Sequence, residues 1–323
     1  MATRYQITAT GGPDVLTRVE EELSPPPPGF AQVKLDAIGL NYIDTYHRTG
    51  LYPLPLPTTL GVEGAGIVTA VGDGVENVKI GQRVAYAGPP ATYASEAHLV
   101  AALLVPLPDD VSSDLAAASW LKGMTARYLL KATYPVKAGD TILIHAAAGG
   151  VGLIVCQWAK ALGCTVIGTA GSPEKAELAR AHGCDHPILY NEVDFVEAVM
   201  DLTQGQGVPV VYDSVGKATV PKSVMCLKPR GMLVSFGNAS GLPDPIGFDV
   251  LGARGSLFVT RPSLFNYIAT PDELSETAND FLDVLQNGTV KVEVRQSYGL
   301  DDVVQAHKDI EARKTTGSTI LFP

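Results

Sequence analysis

The stretch Thr141–Leu153, T-I-L-I-H-A-A-A-G-G-V-G-L, constrains this chain more than any other. An apolar strand runs into a string of small residues, and Val151-Gly152-Leu153 then opens a helix. Small side chains let the backbone approach a ligand closely. The helix start offers unpaired N–H groups and the positive end of its dipole. Such a place suits the pyrophosphate of a dinucleotide, with Gly149, Gly150 and Val151 as contacts. The usual G-x-G-x-x-G spacing is incomplete and reads Ala147-x-Gly149-x-x-Gly152. A tight strand-to-helix turn of another α/β fold would look similar.

The residues beyond this turn support the nucleotide reading. Strands at Thr165–Thr169, His186–Leu189, Pro209–Asp213, Met232–Phe236 and Leu257–Thr260 alternate with helices at Gly150–Leu162, Pro173–His182, Asp194–Thr203 and Lys217–Cys226. That alternation predicts βαβ units in a doubly wound parallel sheet of Rossmann type. Before it, Ser113–Leu130 is rich in Ala and Leu at helical spacing. After it come a helix (Asp272–Gln286), a strand (Val290–Tyr298), a helix (Asp301–Arg313) and a closing strand (Ser318–Phe322). Residues 1 to about 110 read differently. Val33–Ile38, Ala70–Gly72 and Gly81–Ala85 are short strands between glycine and proline turns, and Asn41–Gly50 is a short helix or turn. The first third is therefore a barrel or sandwich.

The whole chain bounds the possibilities further. Its 323 residues suggest two domains. A net charge of −10 argues against a broad nucleic-acid or anionic-membrane surface. The first residues carry no signal-peptide core and no stretch approaches a transmembrane length, so the expected location is the cytoplasm. Cys156, Cys164, Cys184 and Cys226 have no C-x-x-C spacing and read as buried free thiols.

A dinucleotide site has a second signature at the tip of the next strand, where a carboxylate favours NAD. Here the tip reads Thr169-Ala170-Gly171-Ser172-Pro173-Glu174-Lys175, without a carboxylate at the tip itself. Gly171 leaves room for a phosphate, Ser172 can donate to it and Lys175 can pair with it. NADP(H) is thus expected over NAD(H), while Ser172 also reads as a helix N-cap. Later strand ends supply Asp213-Ser214-Val215-Gly216 and Phe236-Gly237-Asn238-Ala239-Ser240. Ligands of open α/β sheets bind beyond such ends, which makes Ser214, Phe236, Gly237, Asn238 and Ser240 candidates for the ribose and nicotinamide. No Ser/His/Asp hydrolase arrangement stands out. His145 reads as a core histidine and Asp213 as structural.

Several segments together resemble the medium-chain dehydrogenase/reductases, most closely the bacterial NADPH:quinone oxidoreductases related to zeta-crystallin. They are Gly39–Gly50 with Leu51-Tyr52-Pro53, G-V-E-G-A-G-I-V from Gly61, Leu121-Lys122-Gly123-Met124-Thr125, and H-A-A-A-G-G-V-G. To these belong Val211–Gly216, V-S-F-G-N-A-S-G from Val234, Val259–Ser263 and Gly317–Pro323. The resemblance covers essentially the whole chain. It implies a GroES-like substrate domain (residues 1–122 and 263–323), a Rossmann NADPH-binding domain (123–262) and a cleft between them. It places Asn41, Tyr46 and Tyr52 near the nicotinamide as the catalytic set, and Lys122 and Thr125 at the cofactor. It gathers Lys175, Tyr190 and Arg313 around the adenosine 2′-phosphate, and offers Arg261 to the nicotinamide amide or a substrate oxygen.

Zinc-dependent relatives carry Cys, His and Cys where this chain has Asn41, Val62 and a residue near Leu121. These side chains make no zinc site, so metal independence is expected. Without a metal, the expected substrate is an acceptor that is already electron-poor. Reduction of a quinone fits. A related alternative is reduction of enones or enoyl thioesters, with Tyr46 or Tyr52 as proton donor. A crystallin-like or RNA-binding role is disfavoured by the acidic charge. The family also implies a homodimer, with Met232–Phe236 and Leu257–Thr260 compatible with an intersubunit sheet.

Overall fold

A computed structural model of the chain describes all residues, Met1–Pro323. The elements in order are β1 (Ala2–Ile7), β2 (Thr17–Glu21), β3 (Phe30–Leu40), α1 (Tyr42–Thr49), β4 (Thr58–Thr59), β5 (Glu63–Val71), β6 (Arg83–Ala87), β7 (Glu96–Val100) and β8 (Leu104–Pro106). Next come α2 (Ser113–Tyr128), β9 (Thr141–Ile144), α3 (Gly150–Ala161), β10 (Thr165–Ala170), α4 (Pro173–Ala181), β11 (His186–Leu189), α5 (Phe195–Leu202) and β12 (Val208–Asp213). The remainder is α6 (Val220–Ser223), β13 (Leu227–Ser235), α7 (Phe248–Ala253), β14 (Phe258–Thr260), α8 (Pro271–Gln286), β15 (Val294–Gly299), α9 (Val303–Glu311) and β16 (Ser318–Phe322). The chain divides into two compact units. The first is Met1–Lys122 with Thr270–Ala278 and Val292–Pro323, and the second is Gly123–Ala269 with Asn279–Lys291.

The first unit is β-rich. A seven-stranded sheet runs β15-β16-β3-β5-β6-β8, with β7 also paired to β3, and a three-stranded sheet runs β2-β1-β4. Its apolar core includes Ile7, Val33, Leu35, Ile38, Leu60, Tyr93, Leu99 and Leu321. The expected separate strand at Ala70 is instead the end of β5, which runs unbroken from Glu63. Gly66 permits this, because a Cβ there would lie 2.0 Å from the Lys34 carbonyl oxygen on β3.

The second unit is a six-stranded parallel sheet of order β11-β10-β9-β12-β13-β14, the doubly wound dinucleotide-binding order. Alternating apolar residues such as Leu143, Ile167, Val211 and Leu233 bury its faces. Two elements begin later than the sequence suggests. The helix expected from Lys217 starts at Val220, because the Asp213 carboxylate holds residues 215 to 219 in a turn. The strand expected from Val290 starts at Val294, because the Val290 N–H closes onto Val284 O at the end of α8. Helix α7 has no counterpart in the sequence reading. No helix is long and apolar enough to cross a membrane.

Candidate functional site

The turn after β9 is built by close backbone packing. Ala146 takes a positive φ of 55°, and a Cβ on Gly152 would sit 2.3 Å from its carbonyl oxygen. Gly149 is the N-cap of α3, so no side chain covers the first N–H groups, and the first turn carries no carboxylate. An anion meets an uncapped, unneutralised helix start there. Gly149, Gly150 and Val151 thus stand where a pyrophosphate would be held, and the cradle fits a dinucleotide.

At the tip of β10 the structure gathers Gly171, Ser172, Lys175 and Tyr190. A Cβ on Gly171 would lie 2.8 Å from the Tyr190 hydroxyl, so glycine lets the phenol approach the tip. Asn191, which sequence patterns do not single out, donates its amide to Gly171 O at 2.9 Å. Ser172 Oγ accepts from the Lys175 N–H at 3.3 Å, as the cap reading expects. A hydrogen bond from Ser172 holds the fully exposed Glu174 carboxyl below its usual range. A carboxylate therefore does stand beside the expected phosphate position, one turn further along than the strand tip.

The turns after β12 and β13 interlock. Phe236 N donates to Asp213 O, Ala239 N to Ser214 O and Ser240 N to Val215 O. A Cβ on Gly237 would lie 2.5 Å from Ser214 O, which makes glycine obligatory there. The Ser240 hydroxyl donates to Val215 O and accepts from Ala218 N, so it braces the turn. Asn238 is buried between these turns. One Arg261 nitrogen donates to Ser235 O at 2.8 Å, fixing the guanidinium at the ends of β13 and β14. Ser235 Oγ is buried with no partner, a polar atom left for a ligand to satisfy.

Beneath these turns lies a grouping that sequence spacing does not reveal. His145 Nε2 is 2.9 Å from Ser223 Oγ, which donates to Asp213 Oδ2 at 2.8 Å. On the other side His145 Nδ1 meets Thr169 Oγ1 at 2.9 Å. With the serine proton on Asp213, His145 donates through Nε2 and accepts from Thr169. Burial lowers the imidazole pKa, so the ring is neutral. All four residues are buried, so Ser223 is no exposed nucleophile. The set ties the ends of β9, β10 and β12 together.

In the first unit, helix α1 and the turn after it carry the aromatic candidates. Tyr46 and Tyr52 meet edge to face with centroids 5.1 Å apart, and Tyr42 packs 5.7 Å from Tyr46. Gly50 ends the helix with φ 81°, turning the chain so that Tyr52 N bonds Tyr46 O. His47 packs against Tyr52, and burial pulls its pKa down to about 4. Arg313 also belongs to this unit, where its charge acts on the Tyr42 phenol. Thr125 lies three residues after Lys122 on α2.

Two buried networks meet at Asn41. Its backbone N–H donates to Asp44 Oδ2 at 2.8 Å, and its amide donates to Glu63 Oε2 at 2.7 Å. Asp44 Oδ2 also accepts from the Tyr93 hydroxyl, which in turn lies 2.9 Å from His307 Nε2. Arg48 sits 2.9 Å from His307 Nδ1. A guanidinium only donates, so Nδ1 accepts and the proton resides on Nε2. The chain therefore has one direction: Arg48 to His307 to Tyr93 to Asp44. Burial raises the Asp44 carboxyl to about 7 and lowers His307 to about 3. Sequence reasoning does not find Asp44, Glu63, Tyr93 or His307. The only hint is a carboxylate amid the small residues of Gly61–Gly66.

Two of the positions at which zinc relatives carry ligands, Asn41 and Leu121, meet on Glu63. Leu121 N and the Lys122 ammonium both donate to Glu63, each at 2.7 Å. The groups presented are an amide nitrogen, an ammonium, two aliphatic side chains and an already paired carboxylate. This donor set does not suit zinc. No group of three or more His, Cys, Asp or Glu side chains is placed to hold a metal ion.

Comparison with known proteins agrees with this geometry. The sequence models of two families match, "Alcohol dehydrogenase GroES-like domain" over residues 27–130 and "Zinc-binding dehydrogenase" over residues 150–283. A Pseudomonas aeruginosa protein named quinone oxidoreductase is 50% identical over 325 residues, covering 100% of both chains. A Burkholderia 2-haloacrylate reductase is 45% identical, covering 97% of this chain and 96% of the relative. The solved structure of an Escherichia coli quinone oxidoreductase complexed with NADPH superposes with a TM-score of 0.97 at 48% identity, covering 99% of this chain and 100% of that one. The chain belongs to the medium-chain dehydrogenase/reductase family, within its quinone oxidoreductases.

Proposed function

We propose that this protein is a zinc-independent, NADPH-dependent quinone reductase. The carrying observation is full-length identity to quinone oxidoreductases, joined to a glycine cradle that fits the cofactor. When bound, NADPH supplies the hydride; with one proton it converts a quinone to a hydroquinone and leaves NADP⁺. The protein binds and orients. The uncapped start of α3 takes the pyrophosphate. Ser172, Lys175 and Tyr190 take the 2′-phosphate. The turns bearing Ser214, Phe236, Gly237 and Asn238, with Arg261, shape the nicotinamide end. Lys122 and Thr125 contact the cofactor. Tyr46 and Tyr52 present an aromatic edge and face on which a flat quinone stacks, with Asn41 beside them.

The identity to a 2-haloacrylate reductase supports a second reading, reduction of an activated carbon–carbon double bond. In that reaction Tyr46 or Tyr52 would deliver the proton. A side-by-side assay of NADPH oxidation separates the two. Simple ortho- and para-quinones should be turned over with kcat/KM at least about tenfold above 2-chloroacrylate or an enone. No turnover with any quinone would overturn the proposal.

We also propose a homodimer formed through the second unit. Strand β14 pairs only with β13, and Phe258 and Val259 remain 56% and 42% exposed on this open edge. An unpaired apolar edge is a template for a second copy. Sedimentation should show a dimer that Phe258→Lys converts to monomer.

A further inference from the structure

We propose that Glu63 is a positioning residue of this active site, a buried anion that fixes Asn41 and Lys122 in their working orientations. The inference rests on the functional reading above, which sets Asn41 beside the tyrosines that receive the quinone and Lys122 against the cofactor.

Glu63 is fully buried at the start of β5, paired with Gly39 of β3 on one side and Ala87 of β6 on the other. Its backbone carbonyl accepts from Thr92 Oγ1 at 2.9 Å, so the main chain has no freedom to drift. The side chain lies over Gly39, where a Cβ would come 2.1 Å from Oε2; only glycine leaves the carboxylate its place. Three donors converge on it at 2.7 Å: Asn41 Nδ2 and Lys122 Nζ on Oε2, and Leu121 N on Oε1. A buried carboxylate that accepts from three converging donors is held rigid.

This carboxylate sets the orientation of both residues it holds. The Asn41 amide cannot be flipped, because a carboxylate accepts only from its nitrogen. That nitrogen also reaches Gly39 O at 3.3 Å. Both amide hydrogens thus point inward, so only the amide oxygen, which also faces the Asp44 N–H in the capping box of α1, is left to meet a ligand, and it does so as an acceptor. Lys122 is the complementary case. An ammonium has three hydrogens, and Glu63 engages one while keeping the charge in a nearly closed environment. Donor strength at this end of the site therefore belongs to Lys122, and its direction is set by Glu63.

The test is a pair of double-mutant cycles on the full-length protein, read in NADPH-dependent quinone reduction and in thermal unfolding. Glu63→Gln keeps the shape and removes the charge. Kcat/KM should fall about 10- to 100-fold, the scale expected when reacting groups lose their alignment. Because Glu63 acts through its partners, most of that loss should vanish in an Asn41→Ala or a Lys122→Met background, whereas independent sites would add. Should Glu63→Gln fold poorly, the double variant Glu63→Leu/Lys122→Met supplies the second arm. Replacing a buried ion pair by apolar residues is often neutral for stability, so Tm should recover while turnover does not. A Glu63→Gln protein with lowered Tm and full kcat/KM would overturn the proposal, as would additive losses in both cycles. If Asn41→Ala and Lys122→Met each keep wild-type turnover, the site assignment falls, and the positioning role falls with it. Should the wild type reduce no quinone, only the functional reading fails; the cycles, read on 2-chloroacrylate, still decide Glu63.

Discussion

Each unit holds a neutral histidine by hydrogen bonds at both ring nitrogens, but the two surroundings differ. In the first unit His307 lies between Arg48 and Tyr93, in a chain that ends on Asp44 beside the Glu63–Lys122 ion pair. In the second unit His145 lies between Thr169 and Ser223, with Asp213 the only charged member of the set. The first unit fixes the side chains of its proposed site by buried charge. The second fixes the turns proposed to hold the cofactor by backbone proximity, at Gly152 and Gly237, with hydroxyls bracing from below. Side chains that act on a substrate need orientation. Loops that receive a dinucleotide need room and exposed N–H groups. Each unit meets its own requirement with different chemistry.

The comparison breaks most sharply at Arg48. It is 1% exposed and bonds Gly11 O, His307 and Glu311. Arg48→Met removes the donor to Gly11 O and to His307 Nδ1 and leaves the partly exposed Glu311 without its cation, and the stability measured by urea unfolding should fall by about 3–4 kcal/mol. An equal loss from Ser223→Ala in the second unit would erase the distinction.

Gly152→Ala is the next largest effect. The added methyl collides with two backbone carbonyls, a clash that no rotamer relieves. NADPH binding, tracked by quenching of tryptophan fluorescence, should weaken about 100-fold, equivalent to about 3 kcal/mol. Unchanged affinity would mean that the cradle does not hold the cofactor.

The charged network also predicts a pH response. Asp44 titrates at about 7 when folded, above its unfolded value. Its contribution to stability is therefore full at low pH and is lost as pH rises through 7. His47 and His307, lowered to about 4 and about 3, act oppositely: their contribution holds above pH 6.5 and is lost as pH falls. Asp44→Asn should flatten the fall in Tm between pH 5 and pH 8. An unchanged slope there would remove Asp44 from the account.

The smallest effects lie on the exposed rim of the second unit. Lys175→Ala should raise the Kd for NADPH about tenfold and leave NADH nearly unchanged, since one charge-assisted contact to the 2′-phosphate is lost. Glu174→Gln should change the same Kd about twofold in the other direction, by removing the anion that Ser172 holds. Equal changes for both cofactors would contradict the 2′-phosphate assignment.

The two units are also unequally legible in the sequence. The second unit announces itself because strand, turn and helix alternate at short range, and glycines mark where backbones touch. His186–Leu189 falls where its periodicity places it. The start of α6 departs from its periodicity because the Asp213 carboxylate, a tertiary partner, holds the preceding turn. The first unit's site is long-range. Arg48 and His307 are 259 residues apart, and Glu63 and Lys122 are 59 apart. No local pattern encodes such pairs. Tyr46 and Tyr52 are accessible only through family resemblance, and Glu63 stays hidden as one acid within a glycine-rich strand.

The central claim is a reductase that needs NADPH and a quinone but no metal. The most direct test measures NADPH oxidation with 1,4-benzoquinone before and after exhaustive treatment with a zinc chelator. The account predicts quinone-dependent oxidation, one NADPH per quinone reduced, at an unchanged rate after chelation. Loss of activity on chelation that added zinc restores, or no oxidation in either sample, would contradict it.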